Sequence, residues 1–224
     1  MEDETLPIWL FKLLKLSVVG MTSLATLLVV LLALGASDQK PSGRVVWQTN
    51  FNPATDHDIH LWSESFSQDA REKLGPNGLI LELVKPGMTR VFTRLSVGCD
   101  GAYEISGAQI SGSPGAMFGM VFDYLSELDY AAVMVNNNGY VVSYRQSGST
   151  RDTWVPLRQW PHVMVGSNAN RILINVSEGL AVIRINDEVL REVPIYGNGA
   201  FGVIATSHAD DQVVSFDLAR CWSG

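Results

Sequence analysis

The chain has 224 residues, 46% of them apolar, with 23 acidic and 16 basic residues and a formal net charge of −7. That length suits one substantial domain plus an accessory segment. The acidic balance, with arginines scattered and no basic run or stripe, argues against nucleic acid or anionic lipid held by a general field. There is no G-x-S-x-G elbow, no P-loop and no dinucleotide fingerprint, and nothing around His162 or His208 ties either to a nucleophile.

Residues 1–15 read as a short cytoplasmic or interfacial segment, with Trp9 suited to the headgroup level beside Lys12. Leu16 to Ala36 follows as a run of 21 residues without a charge, LSVVGMTSLATLLVVLLALGA. A helix of that length covers roughly 30 Å of hydrocarbon, and Ser17, Thr22, Ser23 and Thr26 are too few to form the polar stripe of a core helix. We therefore expect a transmembrane helix. Ala33-Leu34-Gly35, or the Ala36-Ser37 that follows, offers a small-x-small cleavage site. The run is longer than the roughly 7–15 apolar residues of a cleavable signal, which favours an uncleaved signal anchor. Lys12 and Lys15 lie closer to the run than Lys40 and Arg44, so the N-terminus is expected inside and the remainder outside the cell membrane.

Residues 37–44, SDQKPSGR, form a short polar linker. From Val45 the text turns into short β-rich runs separated by turn residues, with no helical period. The expected strands are 45–51, 78–84, 89–95, 102–110, 116–125, 130–136, 140–146, 153–157, 171–177, 180–186, 188–195, 200–207 and 213–221. Pro194 marks 188–195 as an edge. Asn136-Asn137-Asn138-Gly139 is the strongest hairpin signal, and Ser177-Glu178-Gly179 and Asn186-Asp187 act likewise. Phe118, Met120 and Phe122 alternate with Gly119, Val121 and Asp123, as in a strand with one face buried. Many short strands without crossover helices imply an all-β, antiparallel sandwich or barrel over 45–224.

The stretch FGMVFDYLSELDYAAVMVNNNGYVVSYRQ resembles the central strands of concanavalin A-like (laminin G-like) jelly-roll domains: an aromatic-rich strand, a short acidic turn, a strand, a small-residue turn and another strand. RILINVSEGLAVIRINDEVLREVPI is similar to the later hairpins of that family, with Asn186-Asp187 where Asn-Gly is usual. GAFGVIATSHADDQVVSFDLARC resembles the closing element. The likeness covers roughly residues 45–222 and implies a two-sheet jelly-roll sandwich that binds or processes sugars. Glucanases of the superfamily carry carboxylates as E-x-D-x-E along one strand, and no such strand occurs here. The resemblance also implies that the last strand lies antiparallel to 102–110, bringing Cys99 near Cys221. Two cysteines after the apolar run fit one disulfide in an oxidising compartment, or else two buried thiols.

Several sets of residues are candidates for chemistry. Tyr124, Tyr130, Tyr140, Tyr144, Trp154 and Trp160 are the pool from which a sugar-stacking platform would come, though a sandwich core needs several of them. Asp56, His57, Asp58 and His60 concentrate four donors suited to zinc, or else form a polar surface loop. Asp123, Glu127 and Asp129 bracket one turn and Asp210 and Asp211 another, as oxygen ligands for calcium or as solvated turn acids. No other cofactor is implied. Retaining glycoside hydrolysis needs two carboxylates about 5 Å apart, and Glu82 and Glu104 are the strand carboxylates to examine. Asn175-Val176-Ser177 is a formal glycosylation acceptor in a eukaryotic host. The function expected is a membrane-anchored, non-enzymatic binding module facing outward, its ligand a glycan or an envelope protein. The alternatives are an accessory subunit of a larger membrane complex, using the small residues of the span for helix contacts, and a glycoside hydrolase-like enzyme.

Overall fold

The computed structural model describes residues 8–33, 41, 43–56, 59–65, 70–94, 99–196 and 199–224. The chain divides into two compact units, Met1–Lys40 and Pro41–Gly224.

The first unit contains helix α1, Ile8–Ala33, 26 residues long. It begins well before Leu16, because Ile8–Lys15 is also rich in helix-forming leucine and lysine. Side chains are described for residues 15–30, about 23 Å of helix at 1.5 Å per residue. Among the described residues no helix is long and apolar enough to cross a membrane. Over residues 16–30 exposed apolar side chains lie on every side of the helix, among them Leu16, Val19, Leu24 and Val29.

Among its described residues the second unit is an antiparallel sandwich of fifteen strands. In chain order these are β1 (Val45–Thr49), β2 (Trp62–Ser65), β3 (Ala70–Gly75), β4 (Gly78–Leu83), β5 (Thr89–Arg94), β6 (Ala102–Ser111), β7 (Met117–Ser126) and β8 (Asp129–Val135). They continue as β9 (Tyr140–Ser147), β10 (Thr150–Gln159), β11 (Asn170–Ser177), β12 (Leu180–Ile185), β13 (Glu188–Pro194), β14 (Ala200–Thr206) and β15 (Gln212–Trp222). One sheet runs β13-β12-β11-β6-β15-β4-β3, with β1 also paired to β15; the other runs β10-β9-β8-β7-β14-β5-β2. The two-sheet architecture expected from the strand pattern is therefore present, and β13 with its Pro194 is an edge. β2 and β3 were not foreseen.

Turn chemistry follows the sequence. Glu178 and Gly179 both take positive φ, as do Asn186 and Asp187, which is what two-residue hairpins require. Between the sheets, Phe118, Met120, Phe122, Phe201 and Val203 meet Leu79, Leu81, Tyr103, Ile105, Val214 and Phe216 in one continuous core. At one end aromatic rings fill it: Phe201 stacks on Trp47 at 5.2 Å and on Tyr103 at 4.6 Å.

Because successive strands reverse direction, the connections gather at two ends. Val45 pairs with Trp222, so the chain enters the sandwich where it leaves it. The tip 127–128, the turns at 148–149 and 178–179 and residues 195–196 lie at this near end. The connections 112–116, 136–139, 160–169, 186–187 and 207–211 lie at the far end. Cys99 and Cys221 form a disulfide near the entering chain, with Cα atoms 5.6 Å apart. β15 does run antiparallel to β6, Cys221 opposite Tyr103, as the resemblance implied.

Candidate functional site

The outward face of the seven-stranded sheet is built by register. Alternation sends Phe118, Met120 and Phe122 of β7 into the core, so Met117, Gly119 and Val121 point outward. One row across the sheet reads Thr153, Tyr144, Ala132, Val121, Gly202, Thr93. The next row toward the far end reads Val142, Met134, Gly119, Ile204, Val91. Toward the near end Arg151, Gln146 and Tyr130 align, with Tyr124 beside Tyr130. Met117, Thr206 and Thr89 close the other side, and Tyr140 stands on the same face of β9 as Val142 and Tyr144.

Val91, Val121, Tyr130, Ala132, Met134, Tyr144 and Ile204 form a second buried apolar cluster here. β7 is thus apolar on both faces, where alternation suggested one, and Asp123 points to no open solvent. Gly119 and Gly202 permit the close strand approach. A Cβ on either would lie 2.0 Å from the Val133 carbonyl oxygen or 2.1 Å from that of Phe92.

Three of the six candidate aromatics make a chain of ring contacts: Tyr124 to Tyr130 at 6.1 Å and Tyr130 to Tyr144 at 6.2 Å. Tyr130 and Tyr144 are buried and Tyr140 is 38% exposed, so the first two are floor and the third is rim. The Tyr144 hydroxyl donates to the Met134 sulfur at 3.8 Å. Burial, and then the neighbouring Tyr130 hydroxyl, hold its pKa far above the usual phenol value, so this phenol stays neutral. Arg151 lies over the Tyr144 ring at 4.0 Å and is steadied by donating its Nε–H to Gln146 at 3.2 Å. Trp154 packs on the core beside Phe122 at 6.4 Å. Trp160 is partly buried at the far end, 5.6 Å from His162. Sequence reasoning found the tyrosines but missed Arg151 and Gln146, since only register puts them on this face.

No carboxylate lies on this face among the described residues. Asp123 and Asp129 do converge nearby, but both accept from the Arg145 guanidinium at 2.6 Å, and the Asp123 side chain is 1% exposed. One guanidinium offsets one of the two negative charges, and both carboxylates are engaged by it. Glu82 and Glu104 are on the other sheet. They pair through β15 at Val213 and Arg220 respectively, positions separated by about 23 Å of strand at ~3.3 Å per residue. Glu82 bonds to Lys73 at 2.5 Å. Burial raises the Glu104 pKa against the opposing pull of Arg171 and Arg220, whose Nε atoms lie 3.6 and 4.0 Å from its carboxylate. These two glutamates do not form the pair that hydrolysis needs.

Of the four possible zinc donors, His57 and Asp58 lie outside the described residues, Asp56 precedes the 3-10 turn Ile59–Leu61, and His60 is exposed within it. No group of three His, Cys, Asp or Glu suited to a metal ion occurs among the described residues. Asp210 and Asp211 are exposed at the far end and line an open depression with Pro86, Ser111 and Gly112.

No protein-family model matches the sequence, and no curated protein sequence matches it. Solved structures do match. The carbohydrate-binding module CBM66 from Bacillus subtilis aligns with a TM-score of 0.55 at 13% identity, over 70% of this chain and 92% of that one. A laminarinase from Flavobacterium sp. UMI-01 aligns with a TM-score of 0.56 at 12% identity, over 80% of this chain and 100% of its own. The laminarinase catalytic domain from Thermotoga maritima MSB8 gives 0.58 at 11% identity, over 82% and 99%. At such identities the likeness speaks for the backbone alone: the second unit shares the two-sheet jelly-roll fold of these domains.

Proposed function

We propose that this protein is a non-catalytic glycan-binding module, carried on a single N-terminal membrane anchor with the sandwich on the outer side. The observation that carries the reading is the outward face of the seven-stranded sheet. The accessible Tyr124 and Tyr140 rings, the Arg151 guanidinium, the Gln146 amide and the Thr153 hydroxyl supply stacking and hydrogen bonding to sugar, over a buried floor of Tyr130 and Tyr144. The same face lacks, among its described residues, the two carboxylates that glycosidic cleavage requires. The fold's neighbours make a glycan the natural ligand class. The anchor is supported by residues 16–30 of α1, whose apolar side chains are exposed on every side; lipid is the solvent for such a surface. The disulfide fits an oxidising space outside the cytoplasm.

Residues 41–224, which hold a complete core of their own, are the material for a glycan array. We expect binding to at least one polysaccharide, weakened more than 10-fold by Tyr124→Ala or Arg151→Ala. A domain that binds no sugar overturns the glycan reading, and release of new reducing ends from a bound polysaccharide overturns the non-catalytic one. Protease access to a C-terminal tag in intact cells tests the orientation: a tag cut only after lysis places the sandwich inside.

A further inference from the structure

Singly exposed leucines are ordinary on a protein surface. Three exposed apolar residues at the near end of the sandwich differ in being held on a rigid support. Leu125 is 51% exposed, Leu128 63% and Tyr196 69%. Leu125 and Leu128 flank the β7–β8 tip, and Tyr196 follows β13. Arg145 joins these segments: it donates to Asp123 and Asp129 at 2.6 Å each, and the Tyr196 ring lies 4.1 Å from its guanidinium. The Tyr196 backbone N–H donates to the same Asp123 at 2.8 Å. The Leu128 carbonyl accepts from Gly148 N–H at 2.7 Å, so the β9–β10 turn braces the tip as well. Little conformational freedom remains to be lost if the three side chains enter an apolar phase.

The near end is also where the chain arrives. From Ala36 to Val45 a fully extended backbone reaches about 30 Å at 3.3–3.6 Å per residue. A sandwich tethered that closely meets the bilayer surface at high effective concentration. Resting on the membrane-anchor reading above, we propose that the near end of the sandwich docks on the lipid interface through Leu125, Leu128 and Tyr196. Tyrosine suits that depth, where its ring meets acyl chain and its hydroxyl meets water. Among the described residues no cluster of lysine or arginine accompanies the three, and Arg145 is held by Asp123 and Asp129, so the contact is apolar and indifferent to anionic lipid. The far end also exposes apolar residues, Met164 at 50% and Val165 at 57%, but no tether holds them near lipid. They serve as the internal comparison.

The test is amide hydrogen exchange on the full chain in phosphatidylcholine nanodiscs, against residues 41–224 alone in solution. We expect exchange at 125–129 and at Tyr196 to slow at least 10-fold in nanodiscs, with 136–139 and 163–166 unchanged. The triple variant Leu125→Ser, Leu128→Ser, Tyr196→Ser should abolish that difference while the sheet amides keep their protection. Equal exchange at the tip in both states overturns the proposal, as does protection confined to the far end. Protection that appears only when phosphatidylserine is added overturns its apolar basis. A full chain that never enters nanodiscs fails the anchor reading and takes this one with it, whereas a chain that enters with an unprotected tip fails this one alone.

Discussion

Replacing both cysteines by alanine, Cys99→Ala with Cys221→Ala, isolates one well-defined contribution to stability. The bridge spans 122 residues of sequence. In the chain-entropy model, closing a loop of that length removes roughly 16 cal/mol/K from the unfolded ensemble, or about 5 kcal/mol at 25 °C. Both cysteines are buried, at 3% and 0% exposure, and alanine leaves small voids there, while the backbone pairing of β1 to β15 and of β15 to β6 persists. The folded state should therefore remain intact and the loss should arise mainly in the unfolded chain. Measured disulfide contributions often fall below the model, so the expected loss is about 3–5 kcal/mol. Urea unfolding of residues 41–224, with and without the pair, reads it directly. Thermal midpoints should fall as well, by roughly 2–4 °C for each kcal/mol in a domain of this size. Unfolding free energies that agree within about 1 kcal/mol would refute the reasoning, because the unfolded chain would then be no freer without the bridge.

Phe201→Ala removes the ring stacked on Trp47 at 5.2 Å and Tyr103 at 4.6 Å; a loss of about 3–5 kcal/mol is expected in the same assay, with reduced near-UV circular dichroism. Asp123→Ala removes the partner of Arg145 and of the Tyr196 N–H while Asp129 still pairs the guanidinium, and should cost about 1.5–3 kcal/mol, whereas Glu82→Ala breaks only the exposed pair with Lys73 and should cost about 0–1 kcal/mol. The contrast between those two variants is the measurement. Burial raises the Glu104 pKa above its ordinary value of 4.5, so the folded protein holds that proton to higher pH than the unfolded chain does. The associated stability is complete below the ordinary value and is lost as pH rises through the raised one. Glu104→Gln should accordingly match the parent at pH 4 and exceed it at pH 8 in unfolding free energy; a variant less stable than the parent at pH 8 would contradict this.

The sequence by itself determined the strands that carry β-branched and aromatic residues, and the turns that carry their own chemistry. β6, β7, β9 and β11 were legible for the first reason, and the 178–179 and 186–187 turns for the second, because those signals are local. β2 and β3 escaped because Trp-Ser-Glu-Ser and Ala-Arg-Glu-Lys-Leu-Gly are edge strands, guarded by charge and poor in β-formers. They are held by pairing with β5 and β4. The tyrosines could be nominated from composition, but their roles could not. Burial of Tyr130 and Tyr144, the consumption of Trp154 by the core and the arrival of Arg151 over Tyr144 all depend on which strands are neighbours. Asp123, Glu127 and Asp129 read as calcium ligands or as solvated turn acids; that Arg145, on β9, bonds both aspartates was not legible from spacing. Spacing along a chain fixes periodicity and turns. Which side chains share a face, and which charges are spent on one another, is decided only when strands distant in sequence come within ~5 Å of one another.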